Sequence, residues 1–110
     1  MDQHNHKRSL VTKGSDIKLA ITITSLGDDH KITDQDVDLT VVVTVGTHSE
    51  TFAKSALSPL SDDTLILPLI TSVFPKGDMM LTTTTSVPDE DFTDNSRDEV
   101  QTIDTGITLI

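Results

Sequence analysis

Met79-Met80-Leu81-Thr82-Thr83-Thr84-Thr85-Ser86-Val87-Pro88 is the stretch whose reading decides the fold. Taken at a period of two, Met79, Leu81, Thr83, Thr85 and Val87 share one face, and Met80, Thr82, Thr84 and Ser86 share the other. Threonine packs well on a pleated surface, so the four-threonine run reads as a strand whose hydroxyls can pair across neighbouring strands. A hydroxyl-rich outward face with Met80 at its start also marks Met80, Thr82 and Thr84 as candidate contact residues for a partner's sheet.

The same alternation recurs upstream. Ile17, Leu19, Ile21 and Ile23 fall on one face of Ile17–Thr24, and Val37, Leu39, Val41, Val43 and Val45 on one face of Val37–Val45. Gly46-Thr47 suits a tight hairpin turn into a strand over residues 49–54. Ser58-Pro59 and Ser61-Asp62-Asp63 mark a loop, and Leu65, Leu67 and Leu69 line the next short strand. Ile70–Gly77 predicts a helical turn ended by Pro75 and Gly77. A last strand region runs from about Glu99 to Ile110, interrupted at Thr105-Gly106. Six or seven short strands between turn clusters, with no amphipathic helix, predict an all-β fold: a single antiparallel β-sandwich of the Ig-like kind. Residues 1–9 are polar and aperiodic and read as a flexible N-terminal arm, leaving 10–110 as the sandwich domain.

Composition narrows the function. With 110 residues and no cysteine, the chain is one domain held by an aliphatic core, without disulfides or thiolate metal sites. Three phenylalanines are its only aromatics, so stacking platforms for sugars or single-stranded nucleic acid are missing. A net charge of −10 repels phosphate backbones and suits docking onto a basic surface. The expected partners therefore include neither nucleic acid nor membrane. The opening residues lack the apolar core of a signal peptide, so the expectation is synthesis in a cytoplasm without secretion.

No motif carries catalysis. Asp28-Asp29-His30 with Ser49 has no triad spacing, Lys13-Gly14-Ser15 lacks the phosphate-loop pattern, and no cofactor is implied. The acidic loop offers Asp89, Asp91, Asp94 and Asn95 as calcium candidates without EF-hand spacing, set against the plainer reading of a solvated loop. Asp34, Asp36 and Asp38 form a second, weaker carboxylate group, and His4 and His6 an isolated pair in the arm. Lys7 and Arg8, the basic part of the arm, and Ile107, Leu109 and Ile110 of the final strand complete the candidate interface residues.

Three segments carry a resemblance: the opening Gly14–Ile23, the alternating Asp38–Val45, and the ending. The ending runs Pro75-Lys76-Gly77-Asp78, a long strand, Val87-Pro88-Asp89-Glu90-Asp91-Phe92-Thr93-Asp94, then Val100–Leu109 with Thr105-Gly106-Ile107-Thr108-Leu109. Together they resemble the small β-sandwich virion proteins of tailed phages of gut Bacteroides-like hosts, including crAss-like phages, over most of residues 14–110. The resemblance implies a virion location and a structural role: attachment to capsid, fibre or tail subunits, often as a homotrimer, sometimes as the docking base of a fibre. Because no receptor-binding part follows the attachment-like region, it favours an auxiliary, decoration or adaptor protein. The alternative is a calcium- or sugar-dependent adhesin-like recognition module resting on the acidic loop.

Overall fold

Strand β7, Gly77–Pro88, is the long central strand predicted from the threonine run, and its odd-numbered residues from Met79 to Val87 are buried while the even-numbered ones are half-exposed. The computed structural model describes residues 7–110. In chain order they form β1 (Ser9–Val11), β2 (Asp16–Thr22), β3 (Asp38–Val45), β4 (His48–Ala53), β5 (Ser58–Pro59), β6 (Thr64–Ile70), β7, and β8 (Ser96–Leu109), with single 3-10 turns at Lys54–Ala56 and Thr71–Val73. The second turn fulfils the expectation of a helical turn before Pro75.

The strands make two sheets, five-stranded in the order β1-β8-β7-β3-β4 and three-stranded in the order β2-β6-β5. Their inner faces form one core of Leu, Ile and Val side chains with Phe74 and Met79. This is the predicted β-sandwich. It has eight strands rather than six or seven, because the very short β1 and β5 escape sequence reading. All pairings are antiparallel except that of β1, whose Ser9, Leu10 and Val11 run parallel to Ile107, Thr108 and Leu109. Ser9 therefore belongs to the sheet and not to the arm, while residues 1–6 lie outside the described ones.

Turn chemistry fixes the register. Gly46 takes a φ of +62° as the first of two loop residues between β3 and β4, the glycine position of a II′ hairpin. The expected interruption at Thr105-Gly106 is a bulge within a continuous β8. Met80 faces Asp104 while Asp78 faces Thr108, so Met79 alone stands opposite residues 105–107, with Thr105 Oγ1 donating to the Met79 carbonyl at 2.8 Å.

Both ends are sealed from within the chain. At one end Thr71, fully buried, accepts from the Gly14 amide at 2.8 Å and donates to the Ser15 carbonyl at 2.7 Å. At the other, loop 23–37 sends Leu26 and Ile32 into the core, and Lys54 Nζ ties it down through the carbonyls of Asp34 and Val37. Among the described residues no helix is long and apolar enough to cross a membrane.

Phe74 is the largest fully buried side chain and meets the His48 ring edge-on at 5.5 Å. Phe74→Ala is expected to destabilise the fold by about 3–5 kcal/mol in urea unfolding. Leu60→Ala, at a 68% exposed position, is expected to cost under about 0.5 kcal/mol.

Candidate interaction site at the acidic pole

Topology gathers charges that are scattered in sequence. Thr22 pairs with Thr64, Asp38 with Ser86 and Pro88 with Ser96, which brings loops 23–37, 60–63 and 89–95 to one end of the sandwich. The Ile23 amide donates to the Asp63 carbonyl at 2.8 Å, joining two of these loops directly. The first loop carries Asp28, Asp29, Asp34 and Asp36, the second Asp62 and Asp63, and the third Asp89, Glu90, Asp91 and Asp94, together ten of the chain's 18 carboxylates. Lys31 is the only lysine or arginine within those three loops. This end therefore holds most of the net charge of −10.

The pole is ordered by hydrogen bonds between its own groups. Asp89 accepts from the Asp91 amide at 3.0 Å and from Arg97 at 3.1 Å, and Arg97 also pairs with Glu99 at 3.2 Å. The bond from the Asp91 amide, then that from Arg97, holds the Asp89 carboxyl below its ordinary range, with His30 close enough to add to the effect. Asp63 is lowered likewise by Thr64 and Ser61 hydroxyls, against a smaller opposing effect of burial. Asn95 closes the loop in the left-handed region, at φ 59°, a conformation asparagine tolerates better than most residues. Asp63 and Asp89, both lowered, therefore stay charged at neutral pH within a fixed frame.

The calcium candidates are not assembled. Asp89 is committed to the Asp91 amide and Arg97, and Asp91, Asp94 and Asn95 are exposed. Among the described residues the grouping that does form is His30, Asp34 and Asp36, whose ligand atoms lie within 4.8 Å of one another; Asp38 does not join it and instead accepts from the Leu39 amide. An imidazole with two carboxylates suits a borderline transition ion better than calcium. Beside it a cleft of about 220 Å³ is lined by Ile23, Thr24, Leu26, Gly27, Asp28, His30, Lys31 and Asp63. A larger concavity lies elsewhere: an open 610 Å³ trough over Asp16, Ile17, Lys18, Pro68, Leu69 and Ile70, with only one carboxylate and one amine in its lining.

The remaining sequence candidates divide. Met80, Thr82 and Thr84 are half-exposed on the outer face of the five-stranded sheet, where Thr82 meets Thr102 at 3.0 Å. Leu109, in contrast, is buried at 1% exposure between β1 and β7 and has no surface for a partner, while Ile107 is half-buried and packs partly against the core. Ile110 is 47% exposed but its backbone is bonded to Val11 and Lys13. Lys7 is exposed, whereas Arg8 turns back onto its own chain. His4 and His6 lie outside the described residues. Ser49 bonds Thr44 near the hairpin turn, at the opposite end from Asp28, Asp29 and His30, so that grouping is not a triad.

Sequence reasoning missed Arg8 as an intramolecular clamp. Its guanidinium grips Asp104 through two bonds of 2.7 and 2.9 Å, donates to the Ile107 carbonyl at 3.0 Å and lies 3.2 Å from Asp78. The partners are nearly the whole chain apart in sequence, and no local pattern links them.

Compared with protein-family models, curated proteins and solved structures, the chain matches none of them.

The Arg8 bond, then that from the Gly106 amide, lowers the Asp104 carboxyl from 3.8 to about 2. A lowered folded pKa contributes stability that is complete above the unfolded value, near about 4, and is lost as pH falls through about 2. A carboxyl-detected NMR titration is expected to find the Asp104 midpoint near 2 and to find it raised toward 3.8 in Arg8→Ala. An unchanged midpoint in the variant would remove the clamp from this account.

Proposed function

We propose that this chain is a structural attachment protein of a virion, an acidic β-sandwich that binds capsid, fibre or tail subunits as an auxiliary protein or as the docking base of a fibre. The observation that carries the reading is the pole: ten carboxylates on three loops, held over a floor of buried Leu26 and Ile32. A fixed field of one sign steers encounter with a basic protein surface and sets orientation on contact. Such a surface needs no cleft and no catalytic group. The sequence resemblance to phage β-sandwich virion proteins supplies the assembly in which a basic docking surface is expected.

A second reading, cation-dependent recognition, is favoured by one observation, the convergence of His30, Asp34 and Asp36. Thermal melting separates the two: under the attachment reading, millimolar calcium or micromolar zinc leaves the melting temperature unchanged, whereas a tight site raises it.

The attachment reading is tested by quantitative mass spectrometry of purified phage particles, scaled to the major shell protein. Hundreds of copies per particle are the result for a shell decoration or head-fibre base, and a few to a few dozen for a tail or portal component. Absence from particles would sink the proposal. Binding of the purified protein to particles is also expected to weaken as salt rises from about 0.05 M to about 0.5 M, because screening shortens the reach of the pole.

A further inference from the structure

The five-stranded sheet overhangs the three-stranded one, and among the described residues the overhang leaves a long edge uncovered. β8 has 14 residues, but β1 pairs only with Ile107–Leu109. Among the described residues no strand lies beside Ser96–Gly106 on that side. Natural sheets blunt such edges with short strands, charges, proline or bulges. Here β6 carries Pro68, β2 carries Lys18 in its middle, and β4 has only six residues. The middle of β8, Val100-Gln101-Thr102-Ile103, has none of these protections. Its apolar residues are open on opposite faces, Val100 at 64% and Ile103 at 50% exposure.

We propose that β8 pairs antiparallel with β8 of a second copy of this chain, across a two-fold axis at Val100, joining the two larger sheets into one. Each partner supplies the same edge, as a two-fold interface requires. The register follows from charge. An axis perpendicular to the sheet keeps outer-face residues on the outer face. With the axis at Val100, Val100 meets its own copy, Asp98 faces Thr102, Glu99 faces Gln101, Arg97 faces Ile103 and Ser96 faces Asp104. No like charges stand directly opposite, and both exposed apolar residues gain a neighbour. An axis at Gln101 sets Asp98 against Asp104, and one at Glu99 sets two carboxylates on the axis; both are unfavourable. Moving it further toward the C-terminus runs the pairing into the bulge at residues 105–107.

Charge also selects the antiparallel sense. The acidic pole adjoins the Ser96 end of β8. Antiparallel pairing puts Ser96 of one copy beside Asp104 of the other, so the poles lie at opposite ends, about 27 Å apart along the strand at about 3.4 Å per residue. That exceeds the screening length of about 8 Å at physiological salt. A parallel partner would set the two poles side by side. Residual repulsion between two chains of charge −10 makes the dimer tighten as salt rises, opposite to the behaviour of a basic partner.

The test uses the absence of native cysteine. Val100→Cys places two thiols across the axis, and with oxidised glutathione as the oxidant it is expected to become a disulfide-linked dimer. Leu60→Cys, equally exposed, and Ile103→Cys, which faces Arg97, are expected to stay largely uncrosslinked. Sedimentation equilibrium of the unmodified protein is expected to show a monomer–dimer equilibrium that tightens with salt. Val100→Lys, with its melting temperature checked as a control on folding, is expected to weaken that equilibrium at least about tenfold. A monomer or a trimer for the unmodified protein would overturn the proposal, as would crosslinking of Val100→Cys no faster than that of Leu60→Cys.

Discussion

The structure depends on β7 being hydrogen-bonded along both sides. Its residues pair with β3 over Met79–Ser86 and with β8 over nearly their whole length. Only a strand with one face in the core and the other tolerant of partial exposure can hold that place, and the threonine run meets both demands. Thr83 and Thr85 are buried among Val and Leu side chains, while Thr82 and Thr84 offer hydroxyls and methyls to the outer face. Charged residues at those inner positions would have carried desolvation penalties into the centre of the sheet.

From that strand the asymmetry of the molecule follows. Five strands on one side and three on the other cannot cover each other, so the larger sheet projects at its β8 side, where residues 100–104 are exposed in sequence. Three loops meet at the end where β3 and β6 begin and β7 ends: loop 23–37 carries the chain from the smaller sheet to the larger, while loops 60–63 and 89–95 each join two strands of one sheet. They carry the carboxylates because the interior has no place for them. A hydrophobic floor beneath and an acidic surface above make this end rigid and single-signed, while the outer face of the large sheet is mostly uncharged. The two surfaces differ in chemistry: the pole offers carboxylates, and the β8 edge offers unpaired backbone among the described residues.

The strands with one face in the core were legible in the sequence. β2, β3 and β7 each show period-two alternation that burial follows, and in β6 the leucines at 65, 67 and 69 mark the buried face. β8 was legible only in part. Its middle is exposed on both faces, so hydrophobicity does not alternate there, and its start at Ser96 is set by pairing with Pro88. β1 was invisible because three residues carry no period and its partner lies at the far end of the chain. Leu26 and Ile32 sit singly in a polar stretch, which hid their role as plugs of the core. Leu109 looked like a contact residue because it is apolar and near the end, but parallel pairing with β1 encloses it. The acidic residues were plain in the sequence, yet their assembly into one pole needed the topology.

Under the proposed attachment role the pole would set the direction of docking, and the edge of β8 left unpaired among the described residues would join a second copy without enlarging the core. Both rest on β7 being the interior strand and β8 the exposed one. Amide hydrogen exchange followed by NMR in dilute solution tests that arrangement most directly. Every β7 amide from Leu81 to Ser86 is expected to be strongly protected, because each faces a neighbouring strand. Protection in β8 from Arg97 to Asp104 is expected to alternate, slow where the amide faces β7 and fast where it faces outward. Uniform protection along β8 in the dilute monomer, or rapid exchange within β7, would contradict that arrangement.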